Sequence, residues 1–132
     1  VLVVPPKAEG ISFDSVSIAW NGSRESARAV AAADAFITPA KHVTVFTFGG
    51  KGERTADPGD LVRALAWRGI EAAARRIEPD SHGAGAALLA AAKGTDLLVM
   101  GAYGHTRLRE FILGGATRSM LEHAPFPVLM CH

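Results

Sequence analysis

The sequence predicts an α/β fold in which an open sheet of five parallel strands carries helices on both faces. Short runs rich in β-branched and apolar residues alternate along the chain with alanine-rich segments of helical periodicity. One run, Leu97 to Met100, is apolar at every position, which is typical of a strand buried on both faces of a parallel sheet. Because strands that alternate with helices form βαβ units, the sheet is expected to be parallel.

The composition is that of one globular domain. The chain has 132 residues, of which 48% are hydrophobic. Its formal net charge of +1 gives no indication of a nucleic-acid partner or of an acidic membrane surface. No apolar run approaches the roughly 18 residues that a membrane span needs. Cys131 is the single cysteine, so an internal disulfide is excluded, in agreement with a cytoplasmic location.

The first unit is a strand over 15–20 and a helix over 24–36. The strand places Val16 and Ile18 on one face. An Asn-Gly-Ser turn follows, and its Ser23 is a suitable N-cap for the alanine-rich helix.

The second unit begins with a strand over 42–48, which is rich in β-branched and aromatic residues. Residues 49–59 contain four glycines and are expected to form a flexible connection. Asp57 or Asp60 then caps a helix that Gly69 ends.

The third strand is the least certain element from the pattern alone. Residues 70–77 suit a helix locally because of their alanines and arginines, but a strand is needed to separate the two flanking helices, and we predict a strand. A short helix over 84–93 then ends at Gly94. The remaining predicted elements are the strand 97–100, the helix 116–123 and the strand 128–131.

Two pairs of glycines border the loop between the apolar strand and the last helix. Gly101 and Gly104 follow the strand, and Gly114 and Gly115 precede the helix. Glycine lets backbone approach a ligand closely, and free N–H groups at a helix start favour an anion. With the Thr117 hydroxyl nearby, these groups indicate a phosphate-bearing ligand. The alternative is that the glycines only form tight turns and permit close helix packing.

The glycine spacing resembles the signature of the universal stress protein family, G-x2-G-x9-G-(S/T), with Gly101, Gly104 and Gly114 at its glycine positions. The closing segment 125–130 is also similar to that family, and the resemblance covers residues 13–132. It implies a Rossmann-like sheet with strand order 3-2-1-4-5. It also implies ATP, an adenine nucleotide, as ligand and a role in stress response or signalling.

In that arrangement the order of strand addition reverses between the first and fourth strands. In such sheets ligands bind at the reversal, outside the carboxyl ends of the strands. The turn after the first strand and the loop after the fourth therefore border one cleft. By the resemblance, Phe48 occupies the place that lines the adenine pocket. Arg107 in the loop either pairs with a phosphate or remains solvated. The predicted cofactor-binding residues are Trp20, Asn21, Gly22, Ser23, Phe48, Gly101, Gly104, His105, Arg107, Gly114, Gly115, Ala116 and Thr117.

Two positions depart from the family pattern. Gly115 stands where the signature has Ser or Thr, and Asn21 stands where nucleotide-binding members usually carry Asp. Gly115 removes a hydroxyl but keeps the amide, and Asn21 keeps the reach of the side chain but loses its charge. The alternative function is therefore a dimerisation or interaction module of the same family that binds no nucleotide.

No catalytic set is predicted. The sequence has neither a G-x-x-x-x-G-K-[ST] loop nor a G-x-S-x-G elbow. Asp14, Asp96 and Glu110 lack the spacing of a general base or of Mg²⁺ ligands, and the histidines show no metal-ligand spacing. Slow ATP hydrolysis remains open.

The two ends of the chain are similar to each other. Residues 1–6 form a short apolar strand stopped by prolines, and they echo the last strand, 128–131. Two interpretations stay open: residues 1–6 are the last strand of a preceding, similar domain joined through a linker over 7–12 to the domain 13–132, or they are a simple edge strand. The strand 128–131 would be a bare hydrophobic edge, so we expect it to pair with residues 1–4, a homodimer partner or a tandem domain.

Overall fold

The computed structural model of the chain describes residues 1–6, 10–49, 56–78, 81–102 and 115–132. Within these residues, strands and helices alternate along the chain as the sequence predicts. The elements are β1 (Leu2–Val3), β2 (Ser15–Ala19), α1 (Arg24–Ala32), α2 (Asp34–Ile37), β3 (His42–Phe48), α3 (Pro58–Trp67), β4 (Ala72–Ile77), α4 (Ala84–Ala91), β5 (Leu97–Gly101), α5 (Gly115–His123) and β6 (Val128–Cys131).

The strands form one sheet in the order β1-β6-β5-β2-β3-β4. The predicted order of the five main strands is confirmed, since β4-β3-β2-β5-β6 corresponds to 3-2-1-4-5, and these five are parallel. The prediction of a five-stranded, wholly parallel sheet is wrong. A sixth strand, β1, pairs with β6 in the antiparallel direction and covers the hydrophobic edge that β6 would otherwise expose.

Helices cover the two faces of this sheet in two groups. The first core cluster joins one face, including Val16 and Ile18, to α1, α2 and α3, and the second joins the other face, including Met100, to α4 and α5. Right-handed crossovers explain the grouping. From β2 through β3 to β4 the chain adds strands towards one edge of the sheet, and from β5 to β6 it adds them towards the other edge. With the same handedness of crossover, this places the two sets of helices on opposite faces.

Several boundaries differ from the predicted ones. The predicted helix 24–36 is divided into α1 and α2 at Ala33. There the Phe36 N–H donates to the Ala33 carbonyl at 2.9 Å, which is the i to i+3 bond of a 3₁₀ turn. Asp57, not Asp60, caps α3, because its carboxylate accepts from the Gly59 N–H at 2.8 Å. The other shifts are of one or two residues: β2 ends at Ala19, β4 begins at Ala72, α4 ends at Ala91, β5 extends to Gly101 and α5 begins at Gly115.

In the part of the chain that the structure describes, none of the helices has the length and apolar character required to span a membrane.

Candidate functional site

The order in which the chain adds strands to the sheet reverses between β2 and β5, as the sequence predicts. These two strands are parallel neighbours, and Ala19 is paired with Met100. The residues that follow β2, Trp20 and Asn21, are therefore level with the end of β5. The chain leaves β2 towards α1 on one face, whereas α5 covers the other face. A crevice at the carboxyl ends of the strands is expected at such a point.

The turn after β2 is fixed by its own hydrogen bonds. The Asn21 Oδ1 accepts from the Ser23 N–H at 3.1 Å, and Gly22 has a φ of +71°, in the left-handed region that favours glycine. The Ser23 Oγ accepts from the Ser26 N–H at 3.1 Å and so caps α1. Its oxygen accepts one hydrogen bond within the turn, so Asn21 can offer a ligand the two N–H donors of its amide and the second lone pair of that oxygen.

Gly101 lies directly under the first turn of α1. A Cβ built on Gly101 would be 2.7 Å from the Ser26 backbone nitrogen and 2.9 Å from the Glu25 carbonyl carbon. Both are backbone atoms, which cannot move without a shift of the helix. Close helix packing therefore requires glycine at position 101 whether or not a ligand binds nearby.

The helices that follow β2 and β5, α1 and α5, differ in the charge of their first turns and in the hydrogen bonding of their buried side chains. Glu25 lies in the first turn of α1, and its hydrogen bond to its own backbone N–H, together with smaller contributions from Ser23 and nearby arginines, lowers the pKa of its carboxyl. The first turn of α5 has no acidic residue. The side chain of Thr117 in that turn is 2% exposed, and its hydroxyl has no hydrogen-bond partner among the described residues. An anion is thus favoured at α5 over α1.

The remaining predicted site residues fall into three groups. Trp20 packs against the cluster under α1, α2 and α3, whereas Phe48 packs against the cluster under α4 and α5, so the two aromatic side chains lie on opposite faces of the sheet. The predicted site residues Gly104, His105, Arg107 and Gly114 lie outside the described residues, as does Glu110. Gly115 and Ala116 form the start of α5.

A cavity that the sequence did not predict lies at the carboxyl ends of β3 and β4, beside the start of α3. Its volume is about 410 Å³, and it is open to solvent, since Ala74, Arg75 and Arg76 are exposed. Ala56 joins it to the crevice, because a Cβ on Gly22 would lie 3.1 Å from the Ala56 Cβ. The lining residues are Thr47, Ala56, Asp57, Pro58, Ala74, Arg75 and Arg76.

Both arginines of this cavity are held by contacts with the protein. The Arg75 guanidinium lies 5.5 Å from the centroid of the Phe46 ring, and the Arg76 Nε donates to the Gly49 carbonyl at 3.2 Å. The available signal in the sequence was a pair of arginines near the carboxyl end of a strand. It was missed because residues 70–77 could be assigned as a strand only from their position between two helices.

Two of the acidic residues considered as catalytic candidates lie at the opposite, amino edge of the sheet. The Asp96 Oδ2 accepts from the Ser15 N–H at 2.8 Å and from the Ser12 hydroxyl at 3.1 Å. The Asp14 carboxylate pairs with Lys41 at 2.6 Å, and this hydrogen bond raises the pKa of Lys41. Asp14 and Asp96 thus connect strand ends and cannot reach the crevice. Nor do the described ranges contain a cluster of three His, Cys, Asp or Glu side chains able to hold a metal ion.

Comparison with known structures identifies the same fold in several proteins. The chain is similar to a universal stress protein from Archaeoglobus fulgidus DSM 4304, with 24% identity and a TM-score of 0.71 over 90% of this chain and 45% of that one. A family protein from Burkholderia pseudomallei has 24% identity and a TM-score of 0.57, with 90% and 96% of the two chains covered. UspA from Lactobacillus plantarum has 15% identity and a TM-score of 0.61, with 91% and 98% covered.

This chain spans less than half of the Archaeoglobus chain but nearly the full length of the other two. At these identities the likeness shows the fold alone. No curated protein sequence matches the chain. The family model described as "Universal stress protein family" matches residues 1–132. With that match over its whole length and the shared fold, the chain belongs to the universal stress protein family.

Proposed function

We propose that this domain binds ATP in the crevice between β2 and β5 and acts as a nucleotide-responsive module of the cytoplasmic stress response. The observation that carries the proposal is the Thr117 hydroxyl, which is buried at the start of α5 with no hydrogen-bond partner among the described residues. A buried polar group without a partner is costly unless a ligand or water completes it. The glycine signature that resembles nucleotide-binding members immediately precedes this helix.

Electrostatics favours one orientation of the nucleotide. The phosphates belong at the start of α5, where the helix dipole attracts an anion and the first turn of the helix carries no acidic side chain. The nucleoside then lies towards the turn after β2, because the Glu25 carboxylate beside that turn repels phosphate but not a neutral base or ribose. The Asn21 amide is placed there to donate to an acceptor atom of the base or ribose.

The two departures from the family pattern are compatible with this orientation. Gly115 keeps the backbone N–H at the start of α5, and Thr117 supplies a hydroxyl within the same turn. Asn21 forms the same turn as an aspartate would, because a carboxylate oxygen and an amide oxygen accept equally from the Ser23 N–H. Compared with an aspartate, Asn21 loses the negative charge and gains two N–H donors, while its oxygen can still accept. No described residue is assigned to Mg²⁺.

The first test is mass spectrometry of small molecules released when the freshly purified protein is denatured, together with calorimetric titration of ATP. We expect ATP either to co-purify or to bind with a micromolar dissociation constant. A protein that releases no nucleotide and gives no heat with ATP would show that the proposal is wrong.

Thr117 provides a sharper test with a matched control. Thr117→Val keeps the shape of the side chain but removes the hydroxyl, and Thr117→Ser keeps the hydroxyl. One lost hydrogen bond to a charged phosphate corresponds to about 1.5–3 kcal/mol, so ATP affinity should fall at least about tenfold in the valine variant and much less in the serine variant. The free protein should retain its stability in Thr117→Val, because the removed hydroxyl is buried and has no hydrogen-bond partner among the described residues. Equal ATP affinities of the two variants would contradict a phosphate contact by Thr117.

The second candidate function is an interaction module without nucleotide. Its support is the apolar surface of β1 and the residues around it, where Val1, Leu2 and Val4 are 85%, 41% and 43% exposed. This function would lead if the nucleotide tests gave no binding and the protein formed a stable complex through that edge of the sheet.

A further inference from the structure

The outer edge of β4 is open in the part of the chain that the structure describes. Among these residues β4 is paired with β3 alone. The Gly49 N–H donates to the Ile77 carbonyl at 3.3 Å, so Ile77 directs its backbone groups towards β3. Because this direction alternates along a strand, every second residue of β4 directs its N–H and C=O groups outwards instead. The residues with outward backbone groups are Ala72, Ala74 and Arg76.

The side chains of β4 leave this edge accessible on the face that carries α3. Side chains alternate along a strand, so Ala74 and Arg76 lie on the same face as Ala72, which packs against the core cluster under α1, α2 and α3. Both are exposed, and both line the cavity of about 410 Å³ beside α3. The side chains of a further strand therefore have room on this face.

Arg75 lies on the opposite face of the strand, where its side chain is held in place without an acidic partner. It is paired in the sheet with Phe46, and its guanidinium lies 5.5 Å from the centroid of the Phe46 ring. The ion pairs formed among the described residues do not include Arg75. A guanidinium stacked on an aromatic ring keeps its N–H donors available at its rim, where a carboxylate binds in the same plane.

We propose that the outer edge of β4 binds an extended acidic segment of another protein, which joins the sheet as a further strand. The backbone of that segment bonds to the outward groups of Ala72, Ala74 and Arg76. Its acidic side chains lie on the face of Arg75, and one carboxylate pairs with that guanidinium. Its apolar side chains lie on the other face, above Ala74 and the cavity beside α3.

The charges of β4 select the partner. The strand contains two arginines and no acidic residue, with Glu71 and Glu78 just outside its two ends. Charges at a sheet edge exclude uncharged strands, and like charges placed opposite each other are destabilising. An acidic residue is therefore favoured opposite Arg75, near the middle of the strand, and disfavoured beyond its ends. This surface is separate from the crevice between β2 and β5, so its test does not depend on nucleotide.

The first experiment uses a peptide with the required alternation of acidic and apolar residues. The probe is the acetylated and amidated heptapeptide Thr-Val-Glu-Val-Glu-Val-Thr, and the matched control has lysine in place of both glutamates. Hydrogen exchange of the full chain is followed by NMR during titration with each peptide. We expect the acidic peptide to slow the amides of Ala72, Ala74 and Arg76, and to bind about tenfold more tightly than the lysine peptide. Unchanged exchange with the acidic peptide in large excess, or equal affinities of the two peptides, would overturn the proposal.

Two variants that lose the same charge test the contact with Arg75. Arg75→Gln removes the guanidinium stacked on Phe46, whereas Arg76→Gln removes a positive charge from the other face of the strand. The acidic peptide should bind Arg75→Gln about tenfold more weakly than the wild type, with a smaller loss for Arg76→Gln. Equal losses in the two variants would show that the peptide responds only to net charge, and the proposed contact would be wrong.

A second pair of variants tests whether the peptide joins the sheet. Ala74→Pro removes an N–H that points away from β3, and proline is tolerated at such a position of an edge strand. Ala74→Val keeps the N–H and favours the strand. Urea unfolding should show that both variants remain folded. We expect the acidic peptide to bind Ala74→Val and to lose its binding to Ala74→Pro. A folded Ala74→Pro protein that binds the peptide as tightly as the wild type would overturn the proposal.

Discussion

Gly101 shows how one residue of a family signature can have a structural role that is independent of any ligand. The sequence predicted that Gly101 contacts a phosphate, and the alternative was that it permits close packing of a helix. The structure supports the packing role, because two backbone atoms at the start of α1 lie 2.7 and 2.9 Å from the position of a Cβ on Gly101. The same contact brings the start of α1 to the edge of the crevice, so the packing also shapes the proposed site.

Gly101→Ala should therefore destabilise the protein in the absence of nucleotide. Insertion of a methyl group against backbone atoms costs about 1–3 kcal/mol. The free energy of unfolding in urea, without added ligand, measures this cost directly. Gly59→Ala is the control, because the atoms nearest to its new Cβ belong to the side chains of Asp57 and Arg63, and alanine is favoured over glycine in a helix by about 1 kcal/mol.

The control variant should thus lose less stability than Gly101→Ala, because side chains can move aside from the new methyl group, although one of them is the Asp57 carboxylate that caps α3. If Gly101→Ala were as stable as the wild type, α1 would be free to shift by the distance that a Cβ needs. The packing explanation for this glycine would then be wrong.

At the level of elements, α1 begins with a side-chain cap that the sequence indicated. Ser23 was predicted as the cap of α1, and its Oγ accepts from the Ser26 N–H. The cap also orders the turn that connects β2 to α1, since the Asn21 side chain bonds to the Ser23 N–H. A loss of the cap should therefore affect both the helix and the turn.

Ser23→Ala should lower the free energy of unfolding by about 0.5–2 kcal/mol, the usual cost of removing a serine N-cap. Urea unfolding followed by far-UV circular dichroism measures it. Ser119→Ala, within α5, is the control, because alanine is favoured over serine inside a helix and should not lower stability. A Ser23 variant with unchanged stability would mean that water replaces the hydroxyl without cost.

The elements that the sequence could not fix are those that depend on neighbours distant in the chain. Residues 72–77 contain alanines and arginines that favour a helix, and they form β4 because β3 offers an open edge in register with them. The predicted helix over 24–36 breaks at Ala33, although nothing in its alanine-rich pattern marks a boundary there. Local propensity could not indicate either result.

At the scale of the whole molecule, the order of the main strands was predictable from the sequence. The pairing at the edge of the sheet, with its direction and register, was not. Alternation of strands with helices and the rule for right-handed crossovers restrict the topology strongly. The resemblance between residues 1–4 and 128–131 suggested that the two segments meet, but the antiparallel register with Leu2 opposite Leu129 required the structure. In the site, the turn after β2 and the end of β5 were correctly placed at one switch point. The cavity beside α3 was missed because β4 itself was uncertain.

The position of each strand in the sheet predicts a pattern of hydrogen exchange. β2 is bonded to β3 and β5 and is covered on both faces, with Val16 and Ile18 buried. Among the described residues β4 is bonded to β3 alone, and Ala73 and Ala74 are exposed. In an edge strand, alternate N–H groups point away from the sheet towards solvent.

We therefore expect every second amide of β4 to exchange at nearly the rate of an unfolded chain, and the intervening amides to exchange through local opening. The amides of β2 should exchange only through global unfolding. Exchange followed by NMR, residue by residue, measures both patterns in one experiment, with β3 as the internal control because it has strands on both sides. Slow exchange at every position of β4 would contradict a free edge there. It would mean that a further segment pairs with β4 in solution.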